Sequence, residues 1–307
     1  MTERAALPSK KRQLKLRERR ADQSGAMTMD LRVDSPQISA EDYEFICRIV
    51  YEQSRIHLGR DKQGLVTSRL AKRLRQLNLG SYREYCQYLE SSMGGEELRF
   101  LIDRISTNHT QFFREMKHFD FLGEKVLPNW RKTNPGETFR LWSAASSSGE
   151  EPYSLAIYLA EKLAPASSGL WHITATDIST RVLDIARKGI YEGDRLKDVS
   201  QEWLRRHFQK GVRDWEGHFR VKEELRSRVD FHHLNLLQPG YPFTKLFQVI
   251  FCRNVMIYFD RQTQTDLVSR LTEMLVPGGY LMVGHSESLS GIKHSLKAVQ
   301  PAVYQKI

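Results

Sequence analysis

The sequence predicts a doubly wound α/β domain that follows a small all-helical domain. Beyond about residue 136, apolar strand-like runs alternate with helix-like runs, which is typical of a parallel sheet covered by helices. Between about residues 36 and 105 only helical periodicity is present. The 307 residues are enough for two domains that each bury a core.

The N-terminal third is predicted to hold a tail, four helices and a connection. Residues 1–35 are polar and basic, which is typical of a disordered tail. Within 36–105, the first helix begins after the cap-like Ser39, the second ends at Gly80 and the third ends before Gly94 and Gly95. The fourth helix is "EELRFLIDRIS", and residues 106–135 are expected to form a linker and a connecting helix.

Residues 136–307 form the predicted α/β domain. The strands "FRLWSAAS" and "LWHITATD" are each followed by a helix, "EPYSLAIYLAEKL" and "STRVLDIARKGI". The later strands "FQVIFCRNVMIYF" and "GYLMVGHS" are separated by the helix "RQTQTDLVSRLTEML". The hairpin-like "DWEGHFRV" lies in an interruption at about 206–228, which predicts a small β insertion.

The composition narrows the class of protein. Hydrophobic content of 40% and charged content of 27% are those of a soluble globular protein, expected in the cytoplasm. No apolar run approaches the ~20 residues of a membrane span, and the N-terminus is too polar for a signal peptide. Cys47, Cys86 and Cys252 form no C-x-x-C pair, the histidines show no ligand spacing, and no metal is expected. The formal charge of +10 suits nucleic acid, an anionic membrane or an acidic protein partner.

Polar residues cluster where the predicted strands end. In open α/β sheets the ligand lies beyond the carboxyl ends of the strands. Residues 143–151, Asp177, Asn235 with Leu236, and 253–258 all fall at such ends. A carboxylate at Asp177 can accept hydrogen bonds from both ribose hydroxyls, and the alternative is that Asp177 only caps the next helix.

The turn "WSAASSSGEEPYS" indicates the kind of ligand. Its small residues resemble a phosphate loop, but it has one glycine, no lysine, and the consecutive carboxylates Glu150 and Glu151. These carboxylates would repel a pyrophosphate, so a cation with a ribose, such as S-adenosylmethionine, fits better. We expect one carboxylate to face the ligand and the other to complete the helix turn. Alternatively both only stabilise the helix N-terminus, by ~0.3–1 kcal/mol each.

Several long motifs in fixed order resemble the chemotaxis receptor methyltransferases of the CheR family. They are "TNHTQFFRE", "WSAASSSGEEPYSLA", "ATDIS", "LNLL" and "IFCRNVMIYFD", and the similarity runs from about Ser39 to the C-terminus. The resemblance implies a Rossmann-like, S-adenosylmethionine-dependent methyltransferase domain with a small β insertion, preceded by the helical domain. It also implies methyl transfer to glutamate side chains on cytoplasmic receptor helices, with S-adenosylhomocysteine as the product.

The resemblance also implies site residues. Matching positions assign cofactor contacts to Asn108, Thr110, Arg114, Glu151, Asp177, Asn235, Leu236, Arg253 and Asn254. Because Arg114 and Tyr258 are donors placed near the reacting centre, we expect them to aim the substrate carboxylate. The alternative for Tyr258 is a core aromatic residue.

A receptor-binding surface is expected on the second helix. Lys62, Arg69, Lys72 and Arg73 lie on one side of it and could steer acidic receptor helices, although a merely solvated basic face is the alternative. The family's β insertion can dock a receptor C-terminal peptide. We expect the protein to be a monomer that binds chemoreceptors and reaches the membrane only through them. We do not expect it to bind nucleic acid.

Three other functions have some support in the sequence. A nucleic-acid methyltransferase would favour prolines before the aromatic residue, where Val255 and Met256 stand. A serine hydrolase based on "GHSES" would need Gly in place of Ser288, and an acid and then a histidine after the nucleophile. A non-catalytic module that only binds cofactor or receptor stays open at this point.

Overall fold

The computed structural model describes residues 36–91, 94–163 and 170–307. The predicted tail at 1–35 lies outside these described residues. No helix of the described chain is both long enough and apolar enough to cross a membrane.

The N-terminal part is a bundle of four helices. They are α1 (Ala40–Ser54), α2 (Gln63–Gln76), α3 (Tyr82–Glu90) and α4 (Gly94–Ile105). The Ser39 hydroxyl caps α1 by accepting a hydrogen bond from the Asp42 N–H at 3.1 Å. Apolar residues at helical spacing, such as Ile46, Leu70 and Leu101, are fully buried where the helices meet.

A helical connection leads from the bundle to the sheet. It consists of α5 (Lys117–Phe121), a π-helical turn at Leu122–Val126 and α6 (Leu127–Thr133). Phe119 and Leu122 are fully buried and belong to the core on one face of the sheet. The connection is therefore packed against the second domain.

The C-terminal part is built on a seven-stranded sheet in the order β6-β2-β1-β7-β8-β10-β9. The strands are β1 (Phe139–Ser143), β2 (Trp171–Asp177), β6 (Val229–His233), β7 (Phe247–Cys252), β8 (Leu275–Val283), β9 (Leu296–Gln300) and β10 (Val303–Lys306). The five strands from β6 to β8 are parallel, and β10 and β9 add an antiparallel edge. This antiparallel pair was not predicted from the sequence.

Helices cover both faces of the sheet, which confirms the doubly wound fold. They are α7 (Glu150–Lys162), α8 (Thr180–Lys188), α9 (Gln201–His207), α10 (Glu223–Arg226) and α11 (Arg261–Glu273). Neighbouring residues of a strand point to opposite faces, so Leu141 joins the core under α7 whereas Trp142 joins the core under α11. Strands buried on both sides explain the continuous apolar runs in the sequence.

A separate three-stranded antiparallel sheet projects from the domain in the order β3-β5-β4. Its strands are β3 (Ile190–Glu192), β4 (Phe208–Lys210) and β5 (His218–Val221). The first strand therefore lies before the range 206–228 expected for the insertion. The preceding helix ends at Lys188 because Gly189 adopts a left-handed conformation with φ of 60°, which frees the next residues to extend.

Candidate functional site

A cavity of about 450 Å³ lies between the helical bundle and the carboxyl ends of the central strands. Its location agrees with the rule for open α/β sheets, because β1 is the strand from which the chain order runs in both directions. Tyr258, Lys62 and Arg69 line this cavity together with all the predicted cofactor residues. These predicted cofactor residues are Asn108, Thr110, Arg114, Glu151, Asp177, Asn235, Leu236, Arg253 and Asn254.

The small-residue turn between β1 and α7 forms one wall. Gly149 has a φ of 97°, and an added Cβ would lie only 2.7 Å from the Tyr191 hydroxyl, so only glycine fits there. Asp177 holds the turn, since its carboxylate accepts from the Ser147 N–H at 2.8 Å and from the Ser179 N–H at 2.9 Å. The Ser147 hydroxyl in turn donates to the Asn108 carbonyl at 2.9 Å, which joins the turn to the 106–110 segment.

The two consecutive glutamates of the turn have different surroundings. Glu151 lies on the cavity wall, where it accepts from the Ser143 hydroxyl at 2.8 Å and from Arg253 Nη1 at 2.9 Å. Glu150 points away from the cavity, is fully buried, and is paired with Arg195. Burial raises the pKa of both carboxyl groups, and their arginine partners oppose this rise.

Arg253 is the centre of a buried ionic network. Its guanidinium contacts Glu151 at 2.9 Å, Glu115 at 2.9 Å and the Arg114 carbonyl at 2.6 Å. Burial would raise the pKa of Glu115, but the charge and hydrogen bonds of Arg253, with a hydrogen bond from Asn254, lower it overall. Sequence reasoning missed Glu115, although it is the last residue of the motif "TNHTQFFRE".

Glu287 is a second residue that sequence reasoning missed. Its buried carboxylate accepts backbone N–H bonds from Gly284 at 2.6 Å, Asn254 at 2.8 Å and Met256 at 2.8 Å. It thereby supports the turn after β7, in which Asn254 has a φ of 57°. The motif "GHSES" thus supplies a structural carboxylate next to the site. An acid directly after a predicted strand end was the available signal.

The turn after β7 also contacts the helical bundle. Tyr258 lies in a short 3-10 helix, Met256–Tyr258, and not on the strand as expected. Its carbonyl accepts from the His57 N–H at 3.2 Å. The Asn235 amide donates to the Gln53 carbonyl at 2.9 Å, so both residues lie where the two domains meet.

The basic face expected on the second helix is only partly present. Lys62 precedes α2, in a 3-10 helix (Arg60–Lys62), and the expected outward orientation is wrong for Arg69 and Arg73. Arg69 donates to the carbonyls of Arg104, Ile105 and Ser106 at 2.7 to 3.3 Å. Arg73 forms hydrogen bonds of 3.0 Å to Glu97, whose carboxylate also accepts from the Tyr85 hydroxyl. Lys62 and Lys72 are exposed as expected. Periodicity placed the four residues on one side, but it could not reveal partners on α4.

One group of histidine and acidic side chains lies beside the network. Ligand atoms of Glu115, His118 and His285 lie within 4.8 Å of one another. His118 is fully buried, and burial together with the Arg253 charge lowers its pKa to about 3, so its ring is neutral. The guanidinium of Arg253 already contacts the Glu115 carboxylate, which disfavours a metal cation there.

Comparison with known proteins agrees with this geometry. Residues 41–106 match the model for the CheR methyltransferase all-alpha domain, and residues 108–304 match that for the CheR methyltransferase SAM-binding domain. The chain is 41% identical over 267 residues to the chemotaxis protein methyltransferase of Salmonella typhimurium, covering 87% of this chain and 90% of that protein. The relative of the same name in Borreliella burgdorferi is 41% identical, covering 88% and 95%, and that in Escherichia coli is 40% identical, covering 87% and 91%.

The two parts of the chain match the two family models in order. They form a helical bundle and a doubly wound sheet, with a cofactor-sized cavity between them. The cofactor is S-adenosylmethionine, as the matched domain's description states. The chain belongs to the CheR methyltransferase family.

Proposed function

We propose that this protein transfers a methyl group from S-adenosylmethionine to glutamate side chains on the cytoplasmic helices of chemoreceptors, forming methyl esters. The observation that carries the proposal is the convergence of Glu151, Asp177, Arg114 and Tyr258 on one cavity at the strand ends. The relatives' name, chemotaxis protein methyltransferase, supports chemoreceptors as the substrate class.

The residues of the cavity fit a ribose-bearing cation. Glu151 supplies a buried negative charge beside the small-residue turn, and Asp177 retains lone pairs for ribose hydroxyls beyond its two backbone bonds. Asn108, Thr110, Asn235, Leu236 and Asn254 complete the contacts that we assign to the cofactor. Bound there, S-adenosylmethionine supplies an electrophilic methyl group on a sulfonium.

The acceptor needs no general base. A glutamate carboxylate has an unperturbed pKa of about 4.3, so it is already ionised near neutral pH. Our proposal assigns Arg114 and Tyr258 to orient it, and the Tyr258 hydroxyl makes no hydrogen bond within the described part of the chain. Exclusion of water and in-line placement of the reactants supply the acceleration, and placement is worth ~7–11 kcal/mol in favourable systems.

Recognition of the receptor is assigned to exposed cations and to the small sheet. Lys72 has no ion pair among the described residues and can attract acidic receptor helices. Lys62 is exposed but pairs with the exposed Asp61 at 2.9 Å, and Arg69 and Arg73 are already engaged within the bundle. The outer strands β3 and β4 of the small sheet each offer an edge to which a receptor tail peptide could add a strand. We further propose that the enzyme is a cytoplasmic monomer that reaches membranes only through its receptors and does not bind nucleic acid.

The proposed activity can be tested with methyl-labelled S-adenosylmethionine and receptor-bearing membranes. We expect label on the receptor that is released by mild base, because glutamate esters hydrolyse readily and methylated amines do not. A receptor lacking its C-terminal tail should be labelled more slowly. Label on added RNA or DNA, or base-stable label on the receptor, would contradict the proposal.

Charge reversal on α2 should separate recognition from stability. We expect Lys72→Glu, which does not line the cofactor cavity, to slow receptor methylation while leaving the midpoint of urea unfolding and the affinity for S-adenosylhomocysteine unchanged. Arg73→Glu should instead destabilise the bundle by about 3–5 kcal/mol, because it leaves the buried Glu97 beside a second negative charge. Unchanged methylation in Lys72→Glu would refute the assignment of this cation to receptor recognition.

A further inference from the structure

A second cavity, of about 370 Å³, lies behind the cofactor turn and is lined by four arginines. Arg69 and Arg104 belong to the helical bundle, whereas Arg181 on α8 and Arg195 belong to the α/β domain. Asp103 also lines this cavity. The cavity is thus a basic chamber between the two domains. It adjoins the site assigned to the methyl donor, and Arg69, Ser106 and Asn108 line both.

Most of the positive charge in the chamber is not neutralised by the protein. Arg195 is paired with Glu150, but Arg69, Arg104 and Arg181 have no carboxylate partner among the described residues. Asp103 accepts a hydrogen bond from the Thr180 hydroxyl at 3.0 Å. Three unpaired cations and one carboxylate leave a net charge of +2 (three minus one) on the walls of the chamber.

Two of the cations in this chamber, Arg69 and Arg181, repel each other across the domain boundary. Arg69 is partly buried, and burial together with the nearby charge of Arg181 lowers its pKa. Arg104 lies over the ring of Phe100 at 4.9 Å and carries no ion pair in the described chain. Like charges that face each other across a cavity favour the entry of an anion.

We propose that this chamber binds a phosphoryl dianion, and that its binding stabilises the closed arrangement of the two domains over the cofactor cleft. A phosphoryl group carries about −1.5 to −2 charge near neutral pH, which matches the walls better than the single charge of a carboxylate. Guanidinium groups form two parallel hydrogen bonds to phosphate oxygens, so arginines suit this ligand better than lysines would.

The link to the cofactor cleft follows from the placement of the arginines. Repulsion between Arg69 and Arg181 opposes contact between the bundle and α8. A bound dianion attracts both arginines and thereby offsets this repulsion. Asn108 lines both cavities, and its carbonyl accepts from the Ser147 hydroxyl of the cofactor turn at 2.9 Å. The dianion and the cofactor should therefore strengthen each other's binding by the same factor.

The test is calorimetric titration of the full chain with inorganic pyrophosphate, at an ionic strength held constant with sodium chloride. We expect saturable binding without cofactor or receptor present. With pyrophosphate at saturation, the affinity for S-adenosylhomocysteine should rise about 5- to 10-fold. Phosphate and ADP serve as further probes. Tighter binding of ADP than of phosphate would identify a nucleotide as the source of the phosphoryl group, whereas equal binding of the two would identify a free phosphate.

Matched variants locate the binding site. Arg104→Gln with Arg181→Gln should abolish pyrophosphate binding and its effect on cofactor affinity, while keeping the affinity for S-adenosylhomocysteine alone. Arg75→Gln with Arg99→Gln removes two exposed charges from the same bundle and should change neither. The single variants Arg104→Gln and Arg181→Gln serve if the double variant fails to fold by circular dichroism.

Three results would overturn the proposal: no saturable binding of pyrophosphate, undiminished binding in the arginine double variant, or an unchanged affinity for S-adenosylhomocysteine at saturating pyrophosphate. Binding of a poly-glutamate peptide but not of pyrophosphate would also refute it, in favour of an acidic protein partner. Direct binding of pyrophosphate does not rest on the proposed function. Failure of methyl transfer with intact anion binding would therefore count only against that function.

Discussion

Replacing Arg253 by glutamine is expected to lower the free energy of unfolding by about 3–5 kcal/mol near neutral pH. Only 2% of the Arg253 side chain is exposed, and it neutralises Glu115 and Glu151, which are themselves nearly buried. Removing the guanidinium leaves two carboxylates close together in a medium that solvates them poorly. Urea unfolding of the cofactor-free protein measures this loss.

The loss should depend on pH in a defined direction. In the wild type Arg253 lowers the pKa of Glu115 and opposes the rise in the pKa of Glu151. A carboxyl group with a depressed folded-state pKa stabilises the protein above its unfolded pKa, and this contribution is lost as the pH falls. In the variant both pKa values rise, so both groups can take up protons. The difference between variant and wild type should therefore be largest near pH 8 and shrink towards pH 5.

A second substitution provides the control for this prediction. Adding Glu151→Gln to Arg253→Gln removes one of the stranded charges, so the double variant should be more stable than Arg253→Gln alone. A loss that is the same at both pH values, or a double variant no more stable than the single one, would mean that packing rather than charge accounts for the effect.

Tyr258→Phe is expected to lower the rate of methyl transfer by about 10²-fold, the usual effect of deleting one oriented donor. The ring lines the cofactor cavity, and its hydroxyl is assigned to the acceptor rather than to the cofactor. The affinity for S-adenosylhomocysteine and the unfolding midpoint should stay the same. Single-turnover assays with receptor membranes measure the rate, and calorimetry measures the affinity.

Tyr88→Phe is the matched control, because this tyrosine is half-buried on α3, does not line the cavity, and should leave all three quantities unchanged. If Tyr258→Phe transfers methyl groups at the wild-type rate, Tyr258 has no part in orienting the acceptor. If Tyr258→Phe weakens the binding of S-adenosylhomocysteine to the same degree as it lowers turnover, Tyr258 contacts the cofactor instead.

Local patterns predicted the parallel part of the fold well. Strands buried on both faces must be apolar throughout, and the helices between them need one apolar side, so the alternation is visible in the chain itself. The β9–β10 pair was missed because only Leu296 of β9 is buried, so this strand shows neither a continuous apolar run nor a regular alternation. The early start of the small sheet was missed because β3 has only three residues, too few to show an alternating pattern.

The residues of the site were predictable where a rule of topology applied. Polar residues after parallel strands must meet at one edge of the sheet, and this rule is enough to place the turn with Glu150 and Glu151 on the same side of one cleft as Asp177. The choice of Glu151 over Glu150 came from the resemblance to the family. No such rule covers Glu115, which pairs with Arg253 far away in the chain. Glu287 follows a predicted strand end, but the rule gives only its position and not its hydrogen bonds to the turn after β7. Spacing also could not distinguish a free arginine on α2 from one engaged by another helix, as Arg73 shows.

By itself the sequence determined the order of the bundle helices, the parallel strands and the helices between them, the acidic strand-end residues and the resemblance to a family. Each of these depends on residues near one another in the chain. Only the tertiary structure decided which charges are paired. It joined Arg253 to Glu115 and Glu151, turned Glu150 towards Arg195, and left Arg69 and Arg104 of the bundle across the domain boundary from Arg181. The physical reason is that an ion pair depends on distance and burial in space, and residues far apart in the chain carry no local pattern that reports either.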